Sequence, residues 1–157
     1  MYKSLADICA ENEQTGFSFW EIIQQEDCLE ENMTTAQSFA KMQKIYQAMK
    51  EADQKYDPAL KSASGLVGTE GEKVRKRRMN GEMICGELIG LVMEKALKIT
   101  ESNACMKRIV AAPTAGSCGV VPAVLLSIQE KKEYSDEQMT KALYVAGGIG
   151  GVIASRA

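Results

Sequence analysis

Histidine is missing altogether from the 157 residues. That absence removes every Ser–His and Cys–His nucleophile pair, and every histidine general base, from this chain. Acid–base chemistry is left to carboxylate, lysine, tyrosine, cysteine or a metal-bound water. Apolar runs are short: none approaches the ~18 residues that a membrane helix needs. The start, Met1-Tyr2-Lys3-Ser4-Leu5-Ala6-Asp7, has an early acid and no long apolar core, unlike a signal peptide. The expected compartment is the cytoplasm. Excess charge of either sign is lacking too. The 19 basic and 21 acidic residues leave a net charge of −2, which gives no electrostatic case for a nucleic-acid partner.

Closely spaced cysteines are also lacking. The five, Cys9, Cys28, Cys85, Cys105 and Cys118, include no C-x-x-C pair. Without histidine, a zinc site would have to use cysteine and carboxylate alone. Cytoplasmic thiols stay reduced, so five cysteines imply no disulfides. Cys9, Cys28 and Cys85 fall inside helical patterns and read as small buried hydrophobes.

What is present is an ordinary globular composition, 45% hydrophobic and 25% charged, in a chain long enough for one compact domain over 1–157. The fold class reads as mainly α, with six to eight helices. Ser4 opens the first helix, whose apolar face is Leu5, Ile8 and Cys9, and Gly16 interrupts it. Ser18 opens a second, short helix through Trp20, Ile22 and Ile23 to about Gln25. Thr34 or Thr35 opens a third. Phe39, Met42, Tyr46 and Met49 make one face of it, and Pro58 bounds it at about Tyr56.

Further helices are expected from about Glu72 to Met79 and from about Met83 to Lys98. In the latter, Gly86 and Gly90 share a face and suggest close packing on another helix. The basic run Lys73-Val74-Arg75-Lys76-Arg77-Arg78 reads first as a solvated helix face, and second as a surface for an acidic partner or subunit. Ile109-Val110-Ala111-Ala112, ended by Pro113, reads as a short strand or an extended loop. Val120 to Glu130 reads as a buried helix with Pro122 in its first turn. Ser135 caps a last helix, which Gly147-Gly148-Ile149-Gly150-Gly151 is expected to break or loosen. The chain ends apolar and glycine-rich, where natural termini are usually solvated, so a C-terminally truncated piece of a longer chain is expected. Such an ending also favours self-association.

Two glycine-rich loops carry the candidate chemistry. In Ala112-Pro113-Thr114-Ala115-Gly116-Ser117-Cys118-Gly119, small residues let the backbone approach a ligand. Thr114 and Ser117 add hydroxyls, and the following helix N-terminus favours an anion such as a carboxylate. Cys118 lies where the helix dipole lowers a thiol pKa, which suits a metal ligand or a nucleophile. A tight turn around a buried thiol is the competing reading. The second loop runs from Ser62 to Gly71. Ser62, Ser64 and Thr69 supply hydroxyls, and Gly65, Gly68 and Gly71 supply exposed backbone amides. P-loop spacing is absent from it, and the alternative is an ordinary flexible connection.

At these loops the sequence resembles the α chain of bacterial iron–sulfur L-serine dehydratases. Ala112-Pro113-Thr114-Ala115-Gly116-Ser117-Cys118-Gly119-Val120-Val121-Pro122-Ala123 is similar to that family's A-P-T-x-G-x-C-G signature. Ser62-Ala63-Ser64-Gly65-Leu66-Val67-Gly68 is similar to its S-x-S-G-L-T-G loop, and Phe17-Ser18-Phe19-Trp20-Glu21 also fits. After Gly68 the family continues G-D-A where this chain has Thr69-Glu70-Gly71.

The resemblance implies that L-serine loses water and then ammonia to give pyruvate. It implies a [4Fe–4S] cluster held by three cysteines, whose open iron acts as a Lewis acid on the substrate hydroxyl. Cys118 aligns with one cluster ligand, and the others are expected beyond Ala157. Ser62, Ser64, Gly65, Thr114 and Ser117 would hold the serine carboxylate or amine. The catalytic base stays unassigned. A β chain is the implied partner, in a homo- or hetero-oligomer, and this chain alone is expected to be inactive. The rival reading is a non-enzymatic helical interaction module whose apolar end binds a partner.

Overall fold

The computed structural model describes residues 2–112 and 114–156. Pro113, expected to end the apolar stretch, lies outside the described residues, as do Met1 and Ala157. Seven α-helices and one 3-10 turn make up the regular structure, and no strand occurs among the described residues. They are α1 (Leu5–Thr15), α2 (Phe19–Glu31), α3 (Thr35–Gln54), α4 (Glu70–Met79), α5 (Gly86–Ala104), α6 (Val120–Lys132) and α7 (Asp136–Ala154). The 3-10 turn covers Ala115–Ser117. The mainly helical reading therefore holds, and Ile109 to Ala112 is irregular backbone rather than a strand.

Caps set most helix starts. The Ser4 hydroxyl accepts from the Asp7 amide at 3.1 Å, and Ser135 forms a capping box with Gln138. Ser18 forms another with Glu21. Gly16 ends α1 in the left-handed conformation at φ 74°. Asn32 does the same for α2 at φ 51°. This second stop carries α2 six residues beyond the expected end at Gln25. Its polar last turns, Gln25 to Glu31, are good helix formers that show no apolar stripe.

Contacts along the chain gather into two compact units, Met1–Tyr46 with Ser135–Ala157, and Gln47–Tyr134. In the first, Ile8, Ile22 and Val152 are buried, with Tyr2, Phe19 and Ile23 packed against them. The glycines of α7 do not break it, contrary to expectation. A Cβ on Gly148 would lie 2.6 Å from Ile23 Cδ1, so that glycine is the space into which α2 packs. Helical propensity lost at glycine, about 1 kcal/mol each relative to alanine, is outweighed by packing.

In the second unit, α5 packs against both α4 and α6. Leu91, Ile99, Ala123, Leu125 and Leu126 are buried there. α5 begins at Gly86, three residues later than expected, because Gly86 enters it at φ +77°. It also runs on to Ala104. Gly90 packs closely, its absent Cβ 3.4 Å from Arg78 Cγ of α4, whereas Gly86 faces open space. The basic run is a salt-bridged helix end. Arg75 pairs with Glu72 at 2.7 Å, and Arg78 with the buried Glu94 at 2.8 Å. Lys76, Arg77 and Arg78 also complement the C-terminal dipole of α4.

Of the cysteines read as buried hydrophobes, Cys9 and Cys85 are exposed and Cys28 is half-buried. Each lies on a helix or at its N-cap. Periodicity alone does not fix which edge of an apolar stripe is solvated.

Candidate substrate-binding loops

The Ser62 loop is closed by its own polar atoms. The Ser62 amide donates to the Val67 carbonyl at 2.9 Å, and the Gly65 amide donates to the Ser62 carbonyl at 2.8 Å. The Ser62 hydroxyl accepts from the Val67 amide at 3.1 Å and lies 3.1 Å from the Ser64 hydroxyl. Gly65 (φ +73°) and Gly68 (φ +136°) adopt backbone that side chains rarely take. A Cβ on Gly68 would also sit 2.4 Å from the Leu60 carbonyl oxygen. Ser64, Gly65 and Leu66, at the tip, are exposed.

The glycine amides were expected to be free for an anion, and they are not. Gly65 is used as described, Gly68 donates to Glu70 Oε2 at 2.9 Å, and Gly71 donates to Glu101 Oε1 at 2.8 Å. The reason is general: a chain that buries amides must pair them, and the nearby carboxylates do so. What stays available is hydroxyl chemistry. Ser62 and Ser64 have two O–H groups and one mutual bridge, so one O–H is left for a ligand.

The Thr114 loop repeats that arrangement. Thr114 caps the 3-10 turn, its hydroxyl accepting from the Ser117 amide at 3.3 Å, and the two hydroxyls lie 3.0 Å apart. Asn103 of α5 donates to the Ala115 carbonyl at 2.9 Å. Gly119 presses onto α5: a Cβ there would be 2.5 Å from the Ala96 carbonyl oxygen and 2.9 Å from Thr100 Oγ1. Thr114, Ala115 and Gly116 are exposed, and Cys118 is fully buried.

Burial pushes the Cys118 thiol up from its ordinary value, where the helix dipole was expected to lower it. Desolvation outweighs the one stabilising contact, a hydrogen bond from the residue's own backbone amide. The competing reading, a tight turn around a buried thiol, describes this local geometry. Among the described residues no three cysteine or carboxylate side chains converge as a metal-ligand group. The residues present therefore do not fit a cluster held by three cysteines of this chain.

Both loops are pinned to one helix, within the span 96–103 of α5. At 3.6 residues per turn, Ala96, Thr100 and Asn103 share one face and carry the Thr114 loop. Lys98 and Glu101 lie on the opposite side and hold the end of the Ser62 loop. The structure thus brings Ser62 together with Ser64, and Thr114 with Ser117, while no hydrogen bond joins the two pairs among the described residues.

The family model for the serine dehydratase alpha chain matches residues 14–157. The chain belongs to the serine dehydratase alpha chain family. A probable L-serine dehydratase alpha chain of Bacillus subtilis (strain 168) is 38% identical over 119 residues, covering 76% of this chain and 40% of its own. The L-serine dehydratase alpha chain of Peptoniphilus asaccharolyticus is 25% identical over 152 residues, covering 96% and 51%. An L-serine dehydratase of Helicobacter pylori is 31% identical over 157 residues, covering 94% and 33%. The chain thus spans between a third and about half of the length of these serine dehydratase relatives. No solved structure matches it.

Sequence reasoning missed Glu101, Tyr56 and Asn103, the groups that hold the serine dehydratase loops in place. Their partners lie 30, 45 and 12 residues away along the chain, and no local pattern marks such a pairing.

Proposed function

We propose that this chain forms part of an L-serine ammonia-lyase that converts L-serine to pyruvate and ammonia. The family match over residues 14–157 carries the proposal. It is supported by the two exposed hydroxyl pairs, each with an O–H left for a ligand. The hydroxyls of Ser62 and Ser64, on the turn that Gly65 makes, and those of Thr114 and Ser117 on the other loop, bind the serine carboxylate or amine. Their work is orientation: a substrate held by its carboxylate presents its α-proton and β-hydroxyl to the reacting groups in fixed geometry.

Cys118 is assigned as one thiolate ligand of an iron–sulfur cluster. Cys9, Cys28, Cys85 and Cys105 match no ligand motif, and none of them is assigned as its partner. The α-chain names of two relatives support a β chain as partner, and the assembled enzyme acts in the cytoplasm. This chain alone does not turn over serine.

The test is pyruvate formation from L-serine by the natural chain with its β partner, purified without oxygen, beside a Cys118→Ser variant. Pyruvate that disappears in air and in the variant supports the reading. A preparation containing iron and sulfide that forms no pyruvate overturns the substrate assignment.

A further inference from the structure

The N-terminus of α4 is only partly capped from within: Glu70 accepts from the Gly68 amide through Oε2 at 2.9 Å. Thr69, its N-cap, sits at φ 80° and makes no side-chain capping bond. The first amides of a helix have no partner within it and must find one outside. Here the partner comes from α5. Glu101, 4% exposed, accepts from the Gly71 amide through Oε1 at 2.8 Å and from the Tyr56 hydroxyl through Oε2 at 2.6 Å. One buried carboxylate, held by a phenol on its second oxygen, therefore caps the helix across the packing interface, where the helix dipole favours negative charge. Burial, and then the Glu101 carboxylate, keep Tyr56 protonated well above its usual range, so it remains a donor.

Close approach makes this cap possible. Gly71 is buried, and a Cβ on it would lie 2.9 Å from Lys98 Cγ and 3.2 Å from the Tyr56 hydroxyl. The capped residue is also where the Ser62 loop ends. The other end of the loop is fixed where Gly68 meets the Leu60 carbonyl. Between these two points lie Ser62, Ser64 and Gly65.

We propose that Glu101, with Tyr56, is a positioning residue that latches the Ser62–Gly71 loop to α5 and so sets where its hydroxyl pair meets L-serine. The latch rests on the serine reading of the loops for its substrate, and on geometry alone for its existence.

The experiment uses the assembled enzyme, this chain with its β partner, in wild-type, Glu101→Ala, Glu101→Gln and Tyr56→Phe forms. Steady-state kinetics on L-serine are read beside amide hydrogen exchange. In Glu101→Ala, KM rises about tenfold while kcat per folded enzyme stays within about twofold. Exchange at the Val67, Gly68 and Gly71 amides speeds up about tenfold or more, with α1 and α2 unchanged. Glutamine can still accept from Gly71 and bond to Tyr56, so Glu101→Gln returns both readouts to within about threefold of wild type. Tyr56→Phe, which changes little volume, gives a smaller shift in the same direction and serves where Glu101→Ala does not fold.

Loss of kcat in Glu101→Gln with KM unchanged overturns positioning in favour of acid–base chemistry. Loop exchange and KM at wild-type values in both Glu101→Ala and Tyr56→Phe overturn the latch. If the wild-type enzyme makes no pyruvate, the serine reading fails, and the exchange measurements still decide the latch.

Discussion

The Ser62 and Thr114 loops present the same chemical group, a pair of hydroxyls about one hydrogen bond apart, and are fastened to α5 by different means. The Ser62 loop is held mainly by polar bonds: Gly65 and Val67 fold back on Ser62, and a carboxylate from α5 grips the end. The Thr114 loop has one polar bond to α5, from Asn103 to the Ala115 carbonyl, and is otherwise held there by contact: Gly119 lies against the Ala96 carbonyl, and Cys118 is buried beside it. Polar fastening tolerates small displacements of its partners, because a hydrogen bond survives modest changes of length and angle. Close backbone contact tolerates none. The two loops should therefore fail differently when a single atom is added or removed.

The largest expected effect is at the contacts. In Gly119→Ala the new methyl meets two atoms of α5, at 2.5 Å and 2.9 Å, one of them backbone. The loop or the helix must shift, at a cost of about 3 kcal/mol. Adding Thr100→Ala removes one clash and leaves the carbonyl, so it should not rescue. In the other loop Gly68→Ala combines a 2.4 Å clash with φ +136° and should cost a similar about 3 kcal/mol. Urea unfolding of each variant checks both values. A loss below about 1 kcal/mol for Gly119→Ala would show that the contact gives way easily.

Next comes the buried thiol. Burial raises the Cys118 pKa, so the thiolate fraction near neutrality is small and access is closed. Cys9 and Cys85 are exposed. Iodoacetamide should modify those two at least about tenfold faster than Cys118 in the folded chain, with the gap closing in urea. Because the pKa is displaced upwards, Cys118 labelling should climb as pH rises through the alkaline range rather than level off near neutrality. Mass spectrometry of the digested protein reads all five sites. Fast labelling of Cys118 at neutral pH would restore the dipole-activated thiol and undo the contrast between a gripped and a packed loop.

Much of this was legible in the sequence, and the division has a physical basis. Ser4, Ser18 and Ser135 announce helix starts because capping is local, within four residues. The 39–42–46–49 spacing finds α3 because its face is apolar throughout, and Tyr46 and Met49 are indeed buried. The glycines of α7 misled because glycine signals both a breaker and a site of close approach, and Gly148 is the second kind. The loops were found by composition, and their hydroxyls pair as local spacing allows. The fate of the glycine amides was not legible. Two of those three amides end on carboxylates, and the one on Glu101 depends on how α4 packs against α5. Burial of Cys118 was hidden for the same reason, since a residue beside Gly119 goes wherever that glycine's contact with α5 takes it.

The hydroxyl pairs allow a finer test. In Ser62→Ala the Val67 amide loses its side-chain acceptor and Ser64 loses its bridge. In Thr114→Val the 3-10 turn loses its cap while the Ser117 amide keeps its 3.2 Å bond to the Thr114 carbonyl. The first should cost about 1–2 kcal/mol and the second about 1 kcal/mol or less. Equal losses, measured by urea unfolding, would mean that polar closure matters no more to one loop than to the other.

The smallest effect sharpens the comparison from the opposite side. Gly116 sits at the tip of the Thr114 loop, exposed, and a Cβ on it would lie 3.8 Å from Thr114 Oγ1, an ordinary contact. It is absent from the residues with positive φ, so alanine fits its backbone. Gly116→Ala should change stability by no more than about 0.5 kcal/mol, and towards greater stability, because alanine has less freedom to lose on folding. Only Ser117 and Cys118 separate this glycine from Gly119, whose alanine variant should fail. If thermal unfolding finds Gly116→Ala as damaging as Gly119→Ala, the loop is held along its whole length. If the two differ as expected, the contact on α5 is the fixed point, and the exposed tip, with Thr114 and Ser117 on either side of it, is left to meet the substrate.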